Sequence, residues 1–275
     1  MIILLRKLPR SVILSALFLI IVIISSLLSL VFSGSVVGHI DTALLGSPQP
    51  PSFAHPLGTD DLGRDYFVRL LYAGNISLMI AFTSVVIAIF LGLLIGIVAG
   101  YFGGWVDSIL MRFVDAMLAF PVIFLILIVQ VLFHQQLFNI ILIIGLTSWM
   151  GVARIIRSEV LVVKNADYIA ASRLYGANSL FIMTKHVLPN VIYPIVVVAA
   201  LGMGGAILTE AVISFLGLGV QPPLPSWGNM LINAQNYLVH NYWWLLLFPG
   251  LMIFGVVLAF NYIGEYLKQK FAPAK

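Results

Sequence analysis

Apolar residues in this chain come in unbroken runs too long for one face of a soluble helix, separated by segments where charges, glycines and prolines collect. A helix crosses the hydrocarbon core with roughly 20 mainly apolar residues, because unpaired backbone polar groups cannot be left in lipid. Six stretches meet that requirement: Ser11 to Phe32, Ile76 to Phe102, Ala116 to Phe133, Phe138 to Ala153, Val191 to Val212 and Trp243 to Tyr262. The pattern predicts an all-α integral membrane protein with about six transmembrane helices. Arg6, Lys7 and Arg10 precede the first run, as in a signal sequence. That run exceeds the roughly 7–15 apolar residues of a signal core and no small-residue cleavage site follows, so it reads as an anchor that stays.

Composition sharpens the exclusion. The 275 residues are 61% hydrophobic and 9% charged, against roughly 25% charged in an average soluble domain, and a water-soluble fold is excluded. The net charge of +4 leaves no clustered basic face of the kind nucleic-acid binding needs. Cysteine is absent, which removes disulfides, thiolate metal sites and cysteine nucleophiles together.

Lysine and arginine set the expected orientation through their bias to the cytoplasmic side. With the N-terminus inside, the cytoplasmic segments hold Arg6, Lys7 and Arg10, then Arg154, Arg157, Lys164, Arg173 and Lys185, then Lys268, Lys270 and Lys275, with Arg112 at the inner end of the third span. Only Arg64 and Arg69 fall outside. Both termini are then cytoplasmic, which agrees with an even number of spans. Two external segments are long, Ser33 to Asn75 and Ile213 to Tyr242, and one internal segment, Arg154 to Pro189, is long enough to receive a cytoplasmic partner.

Catalytic constellations are missing. No lysine follows a glycine, so there is no phosphate-binding G-K-[ST], and His39, His55, His134, His186 and His240 are scattered without metal-ligand spacing. The expectation is no catalytic residue, no metal site and no cofactor on this chain. Gly92, Gly96 and Gly100 stand four apart on one face of the second span and admit a close backbone neighbour, in this chain or another. Gly202, Gly204 and Gly205 do something looser on the fifth. Arg112 and Asp115 are spaced to pair along a helix, and Glu210 lies near the outer end of the fifth span, where it is placed to snorkel, brace a loop or line an exit. No set of carboxylates at mid-depth suggests an ion-coupled carrier.

The internal segment contains YIAASRLYGAN, Tyr168 to Asn178, and then KHVLPN, Lys185 to Asn190. A short helix from about Asp167 to Tyr175, with Ala170, Ala171 and Leu174 at helical spacing, offers a small-residue face; Gly176 suits the left-handed conformation that ends a helix, and Pro189 suits the start of the next. On this local pattern an ordinary amphipathic connector fits as well as a docking helix. The segment resembles the coupling motif of ABC-importer permeases: Ala170, Ala171 and Ser172 occupy its E-A-A positions, Gly176 is its glycine, and Leu188 and Pro189 close it. The leading Glu is replaced by Ala170, which puts any salt bridge from that position in doubt. Two further segments, HPLGTDDLGRD from His55 to Asp65 and EAVISFLGLGVQPPLPSWGNML from Glu210 to Leu231, closely resemble the peptide/nickel branch of these permeases, and within it the second, C-type permease of dipeptide and oligopeptide systems.

The resemblance implies an N-terminal tail, anchor and external loop over residues 1–75 and an ABC permease transmembrane domain over 76–275, with the coupling segment at about 154–189. It implies a bacterial inner-membrane subunit that forms half of a translocation path for short peptides. The implied partners are a homologous second permease, two cytoplasmic ABC ATPase subunits that carry ATP and magnesium, an extracytoplasmic solute-binding protein and membrane lipid. Asp167, Ala170, Ala171, Ser172, Arg173, Leu174, Gly176 and Ala177 would form the ATPase-coupling surface. Asp60, Asp61, Arg64, Asp65 and Glu210 are candidates for an external gate or a binding-protein contact; for the motif at 55–65, a self-satisfied capping cluster is the competing reading. Import of nickel or a metal chelate is the alternative cargo, and a stand-alone channel or ion-coupled carrier the alternative class.

Overall fold

The computed structural model describes residues 8–32, 40–132 and 136–271. Arg6, Lys7, His39, His134 and Lys275, and the expected segment ends at Ser33 and Phe133, lie outside the described residues. Among those described there is no strand, only an isolated bridge between Thr59 and Asp65. The helices are α1 (Arg10–Phe32), α2 (Tyr66–Phe102), α3 (Gly104–Ala119), α4 (Val122–Leu132), α5 (Leu137–Val163), α6 (Asp167–Leu174), α7 (Ser179–Ile182), α8 (Ile192–Phe215), α9 (Ala234–Val239) and α10 (Trp243–Phe271). Five of these, α1, α2, α5, α8 and α10, are long and apolar enough to cross a membrane, and α3 with α4 makes a sixth if the bent pair is one span.

Four of the expected spans differ from the helices observed there; the sixth is extended, with α10 running nine residues past Tyr262 to Phe271. The second apolar run begins at Ile76, yet α2 starts at Tyr66 and has 37 residues, about 55 Å at 1.5 Å per residue against a hydrocarbon core of about 30 Å. Its early polar residues are paired: Asp65 caps the helix by accepting Val68 N–H at 3.0 Å, and Asn75 donates to Ser29 Oγ at 3.0 Å and to the carbonyl of Ser26. The third span is broken. α3 and α4 meet at 77° because Pro121 cannot continue the helix and drives Phe120 into an extended conformation, φ −85°, ψ 133°. The fourth is longer than its apolar core, since α5 runs on through Arg154 and Arg157 to Val163.

The chain divides into two compact units. The first is built from described residues within Met1–Phe82, Gln130–Ile141 and Met203–Ile263. In it α1 turns Ser15, Ser26 and Ser29 inward and leaves Leu14, Ile21, Leu27 and Val31 exposed, an apolar outer surface suited to lipid. Phe18 of α1 packs on Gly255 of α10, where an added Cβ would lie 2.9 Å from the ring.

The second unit lies within Thr83–Val129, Leu142–Gly202 and Gly264–Lys275. Its core joins Ala88 and Tyr101 of α2, Val114 of α3, Met150, Ala153, Ile156 and Val160 of α5, Ile169 of α6 and Ile182, Val187 and Val191 beyond it. The three glycines of α2 face α5 of this same chain. A Cβ at Gly92 would lie 2.6 Å from Val152 Cβ, at Gly96 2.7 Å from Ala153 O, and at Gly100 2.7 Å from Val160 Cβ. Those approaches bring the two backbones together as small-residue faces do in membranes.

Candidate functional site

The segment after α5 is seated from below by one side chain. Ile169 is fully buried, while its neighbours Asp167, Tyr168, Ala170, Ala171, Arg173 and Leu174 are exposed. A helix of eight residues is marginal alone, and α6 is held by that anchor and by its ends. Asp167 lies in the first turn and Arg173 in the last, both complementary to the helix dipole. At the C-terminus Gly176 N–H donates to Arg173 O at 2.9 Å and Ala177 N–H to Ser172 O at 3.1 Å, with Gly176 at φ +80°. This is the Schellman arrangement, which satisfies carbonyls the helix leaves unpaired.

Asn178 then caps α7 by accepting Phe181 N–H at 2.7 Å. The chain continues through a π-turn, Met183–Val187, and a single turn at Leu188–Asn190 that contains Pro189. The result is an open depression of about 650 Å³ walled by Tyr168, Ser172, Tyr175, Gly176, Phe181 and His186 among others. His186 Nε2 is 3.4 Å from Ser172 Oγ, and its ring meets those of Tyr168 and Phe181 at 6.0 and 5.7 Å. Leu174 and Tyr175 are 89% and 92% exposed, an outlay of apolar surface that marks a docking face when it sits on a rigid support.

Three cationic side chains tie this segment to the end of α2 and the start of α3. Lys164 Nζ donates to Gly100 O at 2.8 Å, a lysine on carbonyls the helix C-terminus cannot use itself. The Arg173 guanidinium lies 5.5 Å from the centroid of the Tyr101 ring. Arg157 makes a two-pronged pair with Asp107, Nε to Oδ1 at 2.6 Å. The local spacing predicts an Arg112–Asp115 pair; in the structure the Asp115 carboxylate pairs with Arg154 of α5 instead. The sequence reading counts Lys164 and Arg157 only as cytoplasmic charges and passes over Tyr101 and Asp107, because the Arg157–Asp107 and Lys164–Gly100 partners are 50 or more positions apart along the chain and no local pattern encodes that.

In the first unit the His55 to Asp65 motif is a turn and capping cluster. Asp60 is the hub: Oδ1 accepts Leu62 N–H at 3.0 Å and Arg64 N–H at 2.9 Å, Oδ2 accepts Arg64 Nε–H at 2.7 Å, and the same oxygen forms an ion pair with Arg69 Nε at 3.2 Å. Asp65 pairs with His55 Nδ1 at 2.9 Å while capping α2. Gly58, at φ +79°, lets Trp244 come so close that a Cβ would sit 2.8 Å from its Nε1. Asp61 is half-buried and lines two cavities.

Glu210 is fully buried. Its carboxylate accepts the hydroxyls of Ser214 at 2.7 Å and Ser77 at 3.2 Å. Those oxygens accept in turn from the backbone, Ser214 from Val220 N–H at 3.2 Å and Ser77 from Trp227 N–H at 3.1 Å. Trp227 is buried and donates its indole N–H to Leu70 O at 3.1 Å. Asn229 completes the fold-back by donating to the carbonyls of Val220 and Leu224. One buried carboxylate thus pins the QPPLPSWG loop onto α8 and α2. No group of three or more His, Cys, Asp or Glu side chains able to hold a metal ion occurs among the described residues.

These features define a membrane component with several candidate spans and a short, anchored helix whose outer face is exposed. The family of binding-protein-dependent transport system inner membrane components matches residues 92–273, and the chain belongs to that family. It is 39% identical over 224 residues to the dipeptide transport system permease protein of Bacillus subtilis (strain 168), covering 82% of this chain and 70% of that one. It is 39% identical to the oligopeptide transport system permease protein of the same organism, over 84% of this chain and 76% of that one. The glutathione transport system permease protein of Pectobacterium atrosepticum is 41% identical over 81% of this chain and 74% of its own length. Among solved structures, a crystal structure of an amino acid ABC transporter with histidines aligns with a TM-score of 0.52 at 16% identity, covering 71% of this chain and 90% of that one. That likeness extends to the fold alone.

Proposed function

We propose that this chain is the permease subunit of an ATP-driven importer for short peptides, forming half of the translocation path and receiving the power stroke through α6. The observation that carries the reading is the docking segment itself: a short helix with an exposed small and apolar face, anchored by Ile169 and closed by the Gly176 turn. Such a surface on a membrane-spanning member of this family fits a groove on a cytoplasmic ATPase. The lysine and arginine distribution puts α6 and both termini in the cytoplasm and the His55–Asp65 motif outside.

A rigidly attached helix moves with its partner as one body, and so biases the permease between inward-open and outward-open arrangements. ATP hydrolysis belongs to the partner subunits, cargo delivery to a solute-binding protein, and the other half of the path to a homologous permease. Peptide cargo is favoured over a nickel chelate by the relatives, whose names specify dipeptides, oligopeptides and glutathione. The test is purification from native membranes in mild detergent, with identification of partners and an ATPase assay with binding protein plus dipeptide or nickel chelate. Co-purifying ATPases and a second permease, with peptide-stimulated hydrolysis, are expected; a chain that purifies alone and transports alone would overturn the reading.

A further inference from the structure

In the first unit a loop from Gln49 to Thr59 leads toward α2 and carries a side chain with no cover at all: Phe53 is fully exposed. Single exposed apolar side chains are ordinary on a protein surface; the support beneath this one is not. The base of the loop is clasped twice, Gln49 N–H donating to Thr59 Oγ1 at 2.8 Å and Thr59 N–H to Gln49 O at 3.0 Å. Thr59 is itself buried, and its carbonyl accepts the indole N–H of Trp244 at 3.3 Å. At the tip, Phe53 and Ala54 fill the centre of a turn closed by Ser52 N–H to His55 O at 2.8 Å and His55 N–H to Ser52 Oγ at 3.2 Å. The His55 ring is held by Asp65 at 2.9 Å, and Pro50, Pro51 and Pro56 fix φ on both sides of the turn. Compact loops with closed ends are frequently functional. A tip this constrained loses little freedom when a partner covers it, and an aromatic side chain entering a pocket is a common centre of such contacts.

The surroundings narrow the partner. Pro50, Ser52, Ala54 and Pro56 are exposed beside Phe53, and no Asp, Glu, Lys or Arg occurs from Thr42 to Thr59, so the tip suits an apolar pocket and not a charged one. Asn75 is paired with Ser26 and Ser29 near the outer end of α1, and Tyr66 opens α2 nine residues earlier, about 13 Å farther along the helix. The polar layer flanking the hydrocarbon is about 5–8 Å deep. The start of α2, and the turn tied to it through His55 and Asp65, therefore stand clear of the lipid, which favours a protein partner on that side.

We propose that Phe53 is an anchor by which this chain engages its extracytoplasmic solute-binding protein, entering an apolar pocket on that protein's docking face. The proposal rests on the importer reading, which places this turn outside, and deepens it; the family is named for its dependence on a binding protein.

The experiment uses the assembled complex in lipid nanodiscs and purified binding protein loaded with Ala-Ala. Phe53→Ser is expected to raise the Kd of the binding protein for the complex by about tenfold or more, with Phe53→Leu falling between it and wild type. An unchanged Kd in Phe53→Ser overturns the proposal. Photo-cross-linking from benzoylphenylalanine in place of Phe53 decides independently, should Phe53→Ser fail to assemble. An adduct with the binding protein is expected; adducts only with lipid, or only with the second permease, overturn the proposal and give Phe53 to the outer leaflet or to the other half of the path. A wild-type complex that neither binds the binding protein nor imports Ala-Ala would instead overturn the import reading, and this proposal with it.

Discussion

The guanidinium of Arg173, on the last turn of the docking helix, lies 5.5 Å from the ring centroid of Tyr101, on the last turn of α2. Tyr101 is 9% exposed, so the cation rests on a fixed platform. Such contacts contribute about 0.5–2 kcal/mol, more as water is excluded. A displacement of α6 is therefore expected to reach α2 through this contact as well as through the chain. Tyr101→Leu should leave insertion and assembly intact, lower peptide uptake several-fold and leave ATP hydrolysis nearly unchanged. Tyr101→Phe, which keeps the ring, should behave as wild type. Parallel uptake and hydrolysis assays in proteoliposomes check the pair; equal loss of both activities in Tyr101→Leu would remove the role.

Gly176 stands in open space, with nothing within 4 Å of an added Cβ, so only its positive φ resists substitution. Gly176→Ala should destabilise the turn by about 1–2 kcal/mol, and Gly176→Asn by less, since Asn tolerates the left-handed region. Gly176→Val adds branching at the same φ and should uncouple transport while the protein still inserts. Uptake measured per ATP hydrolysed across the three variants should fall in the order Asn, Ala, Val.

For the glycines of α2 space decides, not φ. A Cβ at Gly96 would lie 2.7 Å from Ala153 O and 2.8 Å from Ile156 Cβ, so Gly96→Leu forces α2 and α5 apart. Overpacking of this kind costs about 1–3 kcal/mol or more, visible as a lowered detergent-resistant melting temperature. Gly151→Ala, whose Cβ meets nothing within 4 Å, should leave the melt unchanged.

Glu210→Ala would leave the buried hydroxyls of Ser77 and Ser214 without their shared acceptor, at about 1–3 kcal/mol. The loop from Leu216 to Asn229 should loosen as a whole, because Val220 and Trp227 hang from those same hydroxyls. Faster protease nicking within that loop, with a shifted Trp227 emission, is expected for Glu210→Ala; Glu210→Gln, which retains an acceptor oxygen, should be close to wild type.

The short helix α6 and the turn that closes it were legible because their signal is local: small residues at helical spacing, then a glycine suited to a left-handed turn. The apolar runs marked where helices cross lipid but not where they end. α2 begins ten residues before its apolar run because Asp65 caps it; polar residues that look like a boundary in sequence are paired in space. The break in the third span follows from Pro121, a residue inside the expected run. Asp115 shows the limit most directly: spacing along the helix favours Arg112, and packing delivers Arg154 from 39 positions away. Glu210 was visible as an intramembrane acid, but its partners Ser77 and Ser214 were not, and without them its place at the root of a loop could not be told from a place at an exit.

The central claim, that α6 seats on an ATPase, can be tested with one cross-linking measurement, since the chain has no cysteine of its own. Tyr175→Cys introduces a single thiol at a position 92% exposed on the docking face, and a short bifunctional reagent is applied to membranes that contain the assembled system. The account predicts one cross-linked product between this chain and the ATPase subunit, whose yield changes when nucleotide is added, and none from Val31→Cys on the exposed side of α1. Efficient labelling of Tyr175→Cys with no cross-link to any ATPase, in membranes that still import peptide, would contradict it.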